Sequence, residues 1–192
     1  MKKISVLPGF YISVAISLLI FPIPWVLAWI TAAGIHELFH IAALYLCGYP
    51  VYCLRIGALG AQIESDVQPG VSMALCALAG PLAGLLLLLV LQRFPRIALC
   101  GLVQSAGNLL PVLPLDGGRG VYGILLKVFK EERAEKVFRI MEGIALIAVL
   151  VIALYGTIRW NLGIAPLAAA VVFLIRKKAL AKKCSSEYNM VN

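Results

Sequence analysis

Two imidazoles and a carboxylate lie within five residues of one another in the segment GIHELFH, residues 34–40. His36 and His40 are four residues apart, so a helix places both side chains on one face, about one turn apart. Neutral imidazoles at this spacing can bind one zinc ion, and Glu37 can reach a water on that ion without binding it. This is the H-E-x-x-H pattern of metalloproteases, in which zinc lowers the pKa of a water to about 7 and a glutamate accepts its proton.

The sequence around this motif is strongly apolar, with FPIPWVLAWITAA before it and IAALYLCG after it. Ionisable groups inside a membrane span cost several kcal/mol and therefore mark functional sites. His36 and His40 are also the only histidines in the chain. A polar pair that holds two helices together is the alternative interpretation, and metal binding is favoured over it.

A catalytic zinc site needs about three protein ligands, and Asp116 is the candidate for the third. It lies in NLLPVLPLDGGRG, residues 108–120, where Pro111 and Pro114 break the helix. Irregular backbone at membrane depth survives only where protein buries it or a water-filled cavity meets it, which suits a buried metal. The alternative is a helix end that Asp116 caps. Asn108 can either donate to a developing oxyanion or bridge two helices, and the sequence leaves both roles open.

The composition indicates a membrane protein. Of the 192 residues, 62% are hydrophobic and 14% are charged, and the mean hydropathy is +0.97. Soluble domains are about 45–50% apolar. The net charge of +8 comes from short tracts beside apolar segments. We therefore expect a lipid bilayer as the partner surface and no nucleic acid.

We predict an all-α membrane protein of about six transmembrane helices, with five as the competing count, because about 20 apolar residues cross a bilayer. The predicted spans cover residues 7–21, 24–46, 71–91, 97–113, 140–158 and 161–175. The N-terminus resembles a signal peptide, but cleavage near 31–33 would remove half of the helix that carries His36. An uncleaved first span is therefore expected.

Six spans place both termini on the same side of the membrane. All basic residues except Arg93, Arg96 and Arg159 then share that side, which the positive-inside rule assigns to the cytoplasm. We expect a polytopic domain over residues 1–178 and a short cytoplasmic tail over 179–192.

Two segments between the spans have patterns of their own. Residues 51–56 alternate with period 2 and precede a glycine-bearing turn near 57–60, which predicts a short β-hairpin, with a solvated loop as the alternative. Residues 118–139 predict an amphipathic helix at the membrane surface. In the third span, GPLAG at 80–84 favours close helix packing that seats this span against the helices that bear the candidate zinc ligands.

The motifs HELFH, AGPLAG and NLLPVLPLDGGR, in this order and in successive spans, resemble the site-2 protease family of intramembrane zinc metalloproteases. The six-span plan and small size are most like the bacterial stage IV sporulation protease branch. The resemblance covers about residues 24–130 and implies a three-helix catalytic core in a bacterial cell membrane. It also implies that the hairpin is a membrane-associated element that pairs with extended substrate, with Arg55, Gly57 and Asn108 as substrate-binding residues.

The same resemblance assigns roles to the polar residues of the motifs. It implies one Zn²⁺ per chain, bound by His36, His40 and Asp116, with Glu37 as the catalytic base and Asn108 as a second catalytic residue.

The implied activity is hydrolysis of peptide bonds in membrane-associated or transmembrane proteins. In the sporulation branch the substrate is the pro-form of a mother-cell sigma factor, and inhibitory membrane proteins are partners. Many members of that branch carry a nucleotide-binding domain after the last span. The short tail expected here argues against regulation through such a domain.

Two other classes of function compete with proteolysis. A polytopic transporter of metals or small solutes would use the His/Asp group as a permeation site, but transporters usually show repeated halves with matching broken helices. The sequence has one proline-broken motif. A catalytically inactive relative that acts as a chaperone or scaffold is the third possibility, and the intact Glu37 argues against it.

Overall fold

The computed structural model describes residues 3–58 and 60–159. Three short strands are β1 (Lys3–Val6), β2 (Val51–Gly57) and β3 (Gly60–Ser65). The helices in this part of the chain are α1 (Pro8–Ile20), α2 (Ile23–Leu46), α3 (Val71–Leu86), α4 (Pro95–Asn108), α5 (Asp116–Val128) and α6 (Glu131–Arg159). A short 3-10 helix, Leu87–Val90, continues α3.

Three helices within the described ranges are long and apolar enough to cross a bilayer: α2, α3 with its 3-10 extension, and α6. Helix α1 is apolar but has 13 residues, and α4 has 14, so both are shorter than the roughly 20 residues of a full crossing. Leu19, Leu46 and Leu89 are 87, 83 and 82% exposed, which fits a surface that faces lipid. The predicted span 161–175 and the tail 179–192 lie outside the described residues.

Helix α2, which carries the H-E-x-x-H motif, has defined ends. It starts after Pro22, with Pro24 in the first turn. Proline is tolerated there because N–H groups of the first turn have no helical partner. At the other end Gly48 adopts a φ of 79°. The N–H of Gly48 bonds the carbonyl of Tyr45, and the N–H of Tyr49 bonds that of Leu44, which forms a Schellman cap.

The centre of the fold is α3, which packs against α2, α4 and α5 through small side chains. A Cβ atom built at Gly84 would lie 3.0 Å from the Gly101 carbonyl carbon and would overlap the Ser105 hydroxyl. The buried Ser105 Oγ donates to the Pro81 carbonyl at 2.8 Å. The GPLAG motif therefore does bring α3 and α4 into close contact, as its spacing predicts.

The predicted hairpin forms, but it belongs to a three-stranded sheet of order β1-β2-β3. Strands β2 and β3 are antiparallel, and β1 adds in parallel to β2, with Ile4 opposite Leu54 and Val6 opposite Ile56. The expectation of a hairpin alone was incomplete. Strand β1 has only four residues, too few for an alternation of polar and apolar side chains to be recognised next to an apolar helix. Strand β3 is left as an edge.

The single amphipathic helix predicted over 118–139 is wrong. The chain is extended at Phe129, and α6 then starts with Glu131 and Glu132, whose charge favours a helix N-terminus. Residues 118–128 belong to α5, which packs on α3. The predicted fourth span also ends early, because α4 stops at Asn108 and an irregular loop leads to α5.

Candidate metal centre

The polar residues of α2 face the interior of the helix cluster. His36 and His40 are 5 and 9% exposed, one turn apart on the face that packs against α3. Asp116 is the first residue of α5, and its side chain is 14% exposed. The loop between α4 and α5 turns this carboxylate back towards α2.

The three side chains that sequence spacing proposes as ligands meet at one point. Asp116 Oδ2 lies 2.9 Å from His36 Nε2 and 3.2 Å from His40 Nε2, and the two Nε2 atoms are 3.1 Å apart. Tetrahedral zinc with ligands at about 2.0–2.1 Å spaces those ligands by about 3.3 Å. The observed separations are within a few tenths of an ångström of that spacing, so this group can hold a metal ion.

A contact behind the histidines fixes which nitrogen can bind. His40 Nδ1 lies 2.7 Å from the Cys76 carbonyl oxygen on α3. Because a carbonyl only accepts, Nδ1 carries the proton and neutral His40 presents a lone pair at Nε2. A histidine that donates its second nitrogen to a carbonyl is the usual support of a metal ligand.

The donor set fits zinc on chemical grounds. Two imidazole nitrogens and one carboxylate oxygen, all aimed at one point, form the His₂-carboxylate set of catalytic zinc sites. Lone pairs that converge at about 3 Å repel one another unless a proton or a cation lies among them. Nδ1 of His36 is buried without a hydrogen-bond partner among the described residues.

Gly80 on α3 leaves the space that the two imidazoles fill. A Cβ atom at this position would lie 2.5 Å from His36 Nε2 and closer still to His40 Nε2. Any other residue would push into the ligand atoms themselves. The glycine motif thus has one glycine, Gly80, against the site and the other, Gly84, against α4.

The two further residues predicted to take part in catalysis lie beside this group. Glu37 lines the same cavity as the histidines and Ala61 of β3. The Asn108 side-chain amide lies 3.3 Å from His36 Nε2, at the last residue of α4. The fold therefore gathers five polar side chains from α2, α4 and α5.

A cavity of about 1070 Å³ opens in front of these side chains, and every residue of β3 lines it. Arg55 and Gly57 also line it. The Arg55 guanidinium is paired with Glu64 at 2.8 Å, with both side chains about half exposed. A Cβ at Gly57 would meet nothing closer than Leu7 Cδ1 at 3.6 Å, so no close approach requires glycine there.

One supporting contact gave no signal in the sequence. The Cys76 carbonyl is a backbone group, so the residue type at position 76 does not reveal its role as an acceptor. The position of Gly80 against the imidazoles also requires the fold, because spacing alone indicates only helix packing.

No family model matches the chain, and no curated protein matches it. Among solved structures, the chain is similar to the site-2 protease from Methanocaldococcus jannaschii, with 23% sequence identity and a TM-score of 0.60. The alignment covers 90% of this chain and 89% of that one. The described part of the chain therefore has a fold like that of a site-2 protease.

Proposed function

We propose that this protein is an intramembrane zinc endopeptidase that hydrolyses peptide bonds of membrane-associated or transmembrane proteins. The observation that carries the proposal is the convergence of His36, His40 and Asp116 beside Glu37, in a cavity lined by β3, the edge strand of the sheet that residues 3–65 form. The similarity of the fold to a site-2 protease supports it.

His36, His40 and Asp116 would hold one Zn²⁺ per chain. The ion, when bound, supplies a Lewis acid and a water acidic enough to lose a proton near neutral pH. The Cys76 carbonyl keeps His40 in the tautomer that can bind, and Gly80 leaves room for both rings.

Glu37 is the proposed general base. Its carboxylate would accept the proton of the attacking water and pass it to the departing amine. The Asn108 amide, which lies beside the ligand group, would donate to the oxyanion that develops on the scissile carbonyl.

Extended substrate would add to the outer edge of β3. Gly57 and Gly60 pair across a two-residue connection and so form a hydrogen-bonded pair. Alternation along an antiparallel ladder then turns the N–H groups of Ala61 and Ile63 away from β2. A substrate strand paired here would pass in front of the proposed metal ligands, next to Arg55 and Gly57.

The proposed location is a bacterial cell membrane, crossed about six times, with both termini in the cytoplasm. The distribution of basic residues supports this orientation. The pairing of Ser5 with Arg55 brings the N-terminal strand next to the hairpin, as two crossings by the intervening helices would require. The motif resemblance to the sporulation branch makes a sigma-factor precursor a candidate substrate and inhibitory membrane proteins candidate partners.

Substitution of Glu37 by Gln tests this function against transport. In a reconstituted system with a membrane-embedded substrate, the E37Q variant should lose cleavage by at least about 100-fold, because a general base contributes that much or more. Zinc content should stay at the wild-type level. Wild-type protein that cleaves no candidate substrate, but moves metal across a vesicle membrane in both forms, would contradict the proposal.

A further inference from the structure

A carboxylate on α6 bonds to the loop that carries Asp116. Glu142 Oε1 accepts the backbone N–H of Leu113 at 3.0 Å, and Leu113 lies three residues before the proposed ligand. The two residues are 29 positions apart in the chain, so the contact joins separate elements. No other part of the proposed mechanism uses Glu142.

The contact lies on the inward face of α6. Ala134, Phe138 and Glu142 follow one another at four-residue spacing, which places them on one side of a helix. Ala134 and Phe138 are 0 and 3% exposed, whereas Ile140 and Ile144 on the opposite side are 64 and 62% exposed. Glu142 thus continues the inward-facing stripe of Ala134 and Phe138 as a polar and partly buried member.

The other backbone N–H groups of the loop bond within the loop or to the end of α4. Pro111 and Pro114 have no N–H to donate. The N–H groups of Leu109, Leu110, Val112 and Leu115 all bond carbonyls between residues 105 and 112. The Leu113 N–H is different, because its acceptor comes from another helix.

The same stretch of loop also packs closely against the first turn of α5. A Cβ atom at Gly118 would lie 2.5 Å from the Val112 carbonyl carbon and 2.7 Å from the Leu113 nitrogen. Val112 is fully buried. Residues 112 and 113 therefore contact the first turn of α5, Leu113 also bonds to Glu142, and Pro114 stiffens the link from there to Asp116.

We propose that Glu142 is a positioning residue for the metal centre, which holds the 109–115 loop so that the Asp116 carboxylate reaches both histidines. This rests on the proposed function, in which Asp116 is a zinc ligand. The outer partners of metal ligands typically contribute about 10–100-fold to metal affinity. The contribution of Glu142 should be of that size and should depend on its acceptor oxygen.

Two nearly isosteric substitutions test the proposal on the full-length protein. Glu142→Met removes the acceptor, and Glu142→Gln keeps a carbonyl oxygen. We expect the zinc Kd of E142M to rise by about 10–100-fold, while that of E142Q stays close to wild type. Glu135→Met is the matched control, because Glu135 is on the same helix but pairs with the exposed Arg139, and its zinc Kd should not change.

The possible outcomes distinguish a specific role of the hydrogen bond between Glu142 and Leu113, here called the tether, from an effect on general stability. Zinc affinity of E142M equal to wild type, or an equal loss in E142M and E142Q, would overturn the proposal. If E142M does not fold, hydrogen exchange at the Leu113 amide of the wild-type protein decides: protection supports the tether, and exchange at the rate of a free amide refutes it. Wild-type protein that binds no zinc would contradict the proposed function instead. The exchange measurement would still test the hydrogen bond between Glu142 and the Leu113 amide.

Discussion

His40 Nδ1 lies 2.7 Å from the Cys76 carbonyl oxygen, across the interface between α2 and α3. This one hydrogen bond sets the tautomer of a proposed zinc ligand and ties the ligand-bearing helix to the central helix of the fold. The packing of α3 therefore bears directly on the chemistry of the site, and substitutions on α3 should affect metal binding and stability in separable ways.

Gly80→Ala should weaken zinc binding. The new methyl group would lie 2.5 Å from His36 Nε2, so the imidazoles would have to leave the positions in which they meet Asp116. We expect the zinc Kd to rise by at least about 10-fold, as for other losses of ligand orientation. Titration of the purified protein with zinc measures this.

Gly34→Ala is the control for that substitution. Gly34 is also in a helix, two residues from His36, and a Cβ there meets nothing within 4 Å. Zinc affinity should be unchanged, and stability should rise by about 0.5–1 kcal/mol because alanine favours a helix. Wild-type zinc affinity in G80A would show that the imidazoles do not depend on this glycine.

Gly84→Ala should act on stability, with no direct contact to the ligands. Its methyl group would overlap the Ser105 hydroxyl and the Gly101 backbone, which forces α3 and α4 apart. Overpacking of this kind costs about 1–3 kcal/mol in the free energy of unfolding. Reversible unfolding in detergent measures it, and Gly107→Ala, on α4 in open space, is the control. Equal stability of the two variants would refute the close packing described for α3 and α4.

Ile63→Pro should weaken substrate binding while it leaves zinc binding intact. The N–H that proline lacks is one that points away from β2, so the hairpin should survive. We expect KM for a membrane-embedded substrate to rise and the zinc Kd to stay constant. Ile63→Ala keeps the N–H and removes most of the side chain, so it separates the two contributions. If I63A and I63P raise KM equally, main-chain pairing with β3 is not how substrate binds.

The sequence predicted the parts of the site that depend on spacing within one helix or on the residue types that bind metals. His36, Glu37 and His40 share a turn of α2, and Asp116 follows two prolines that no regular helix tolerates. The parts that depend on neighbouring elements were not predictable in this way. Strand β1 is too short to show an alternating pattern. The Cys76 carbonyl is a backbone group that every residue has, so the sequence cannot single it out.

Glu142 did carry a signal in the sequence. It falls inside the predicted span 140–158, where an ionisable group is itself a functional candidate. Its partner is a backbone N–H on a distant loop, and only the folded chain identifies that partner.

The zinc content of purified protein tests the central claim most directly, when wild type, E37Q and D116N are compared after equilibration with the same low concentration of zinc. The account predicts one zinc ion per chain in wild type and in E37Q, since Glu37 is not a proposed ligand. In D116N, where a neutral amide replaces the proposed third ligand, it predicts a large loss of bound zinc. Wild-type protein without zinc, or D116N that retains as much zinc as wild type, would contradict it.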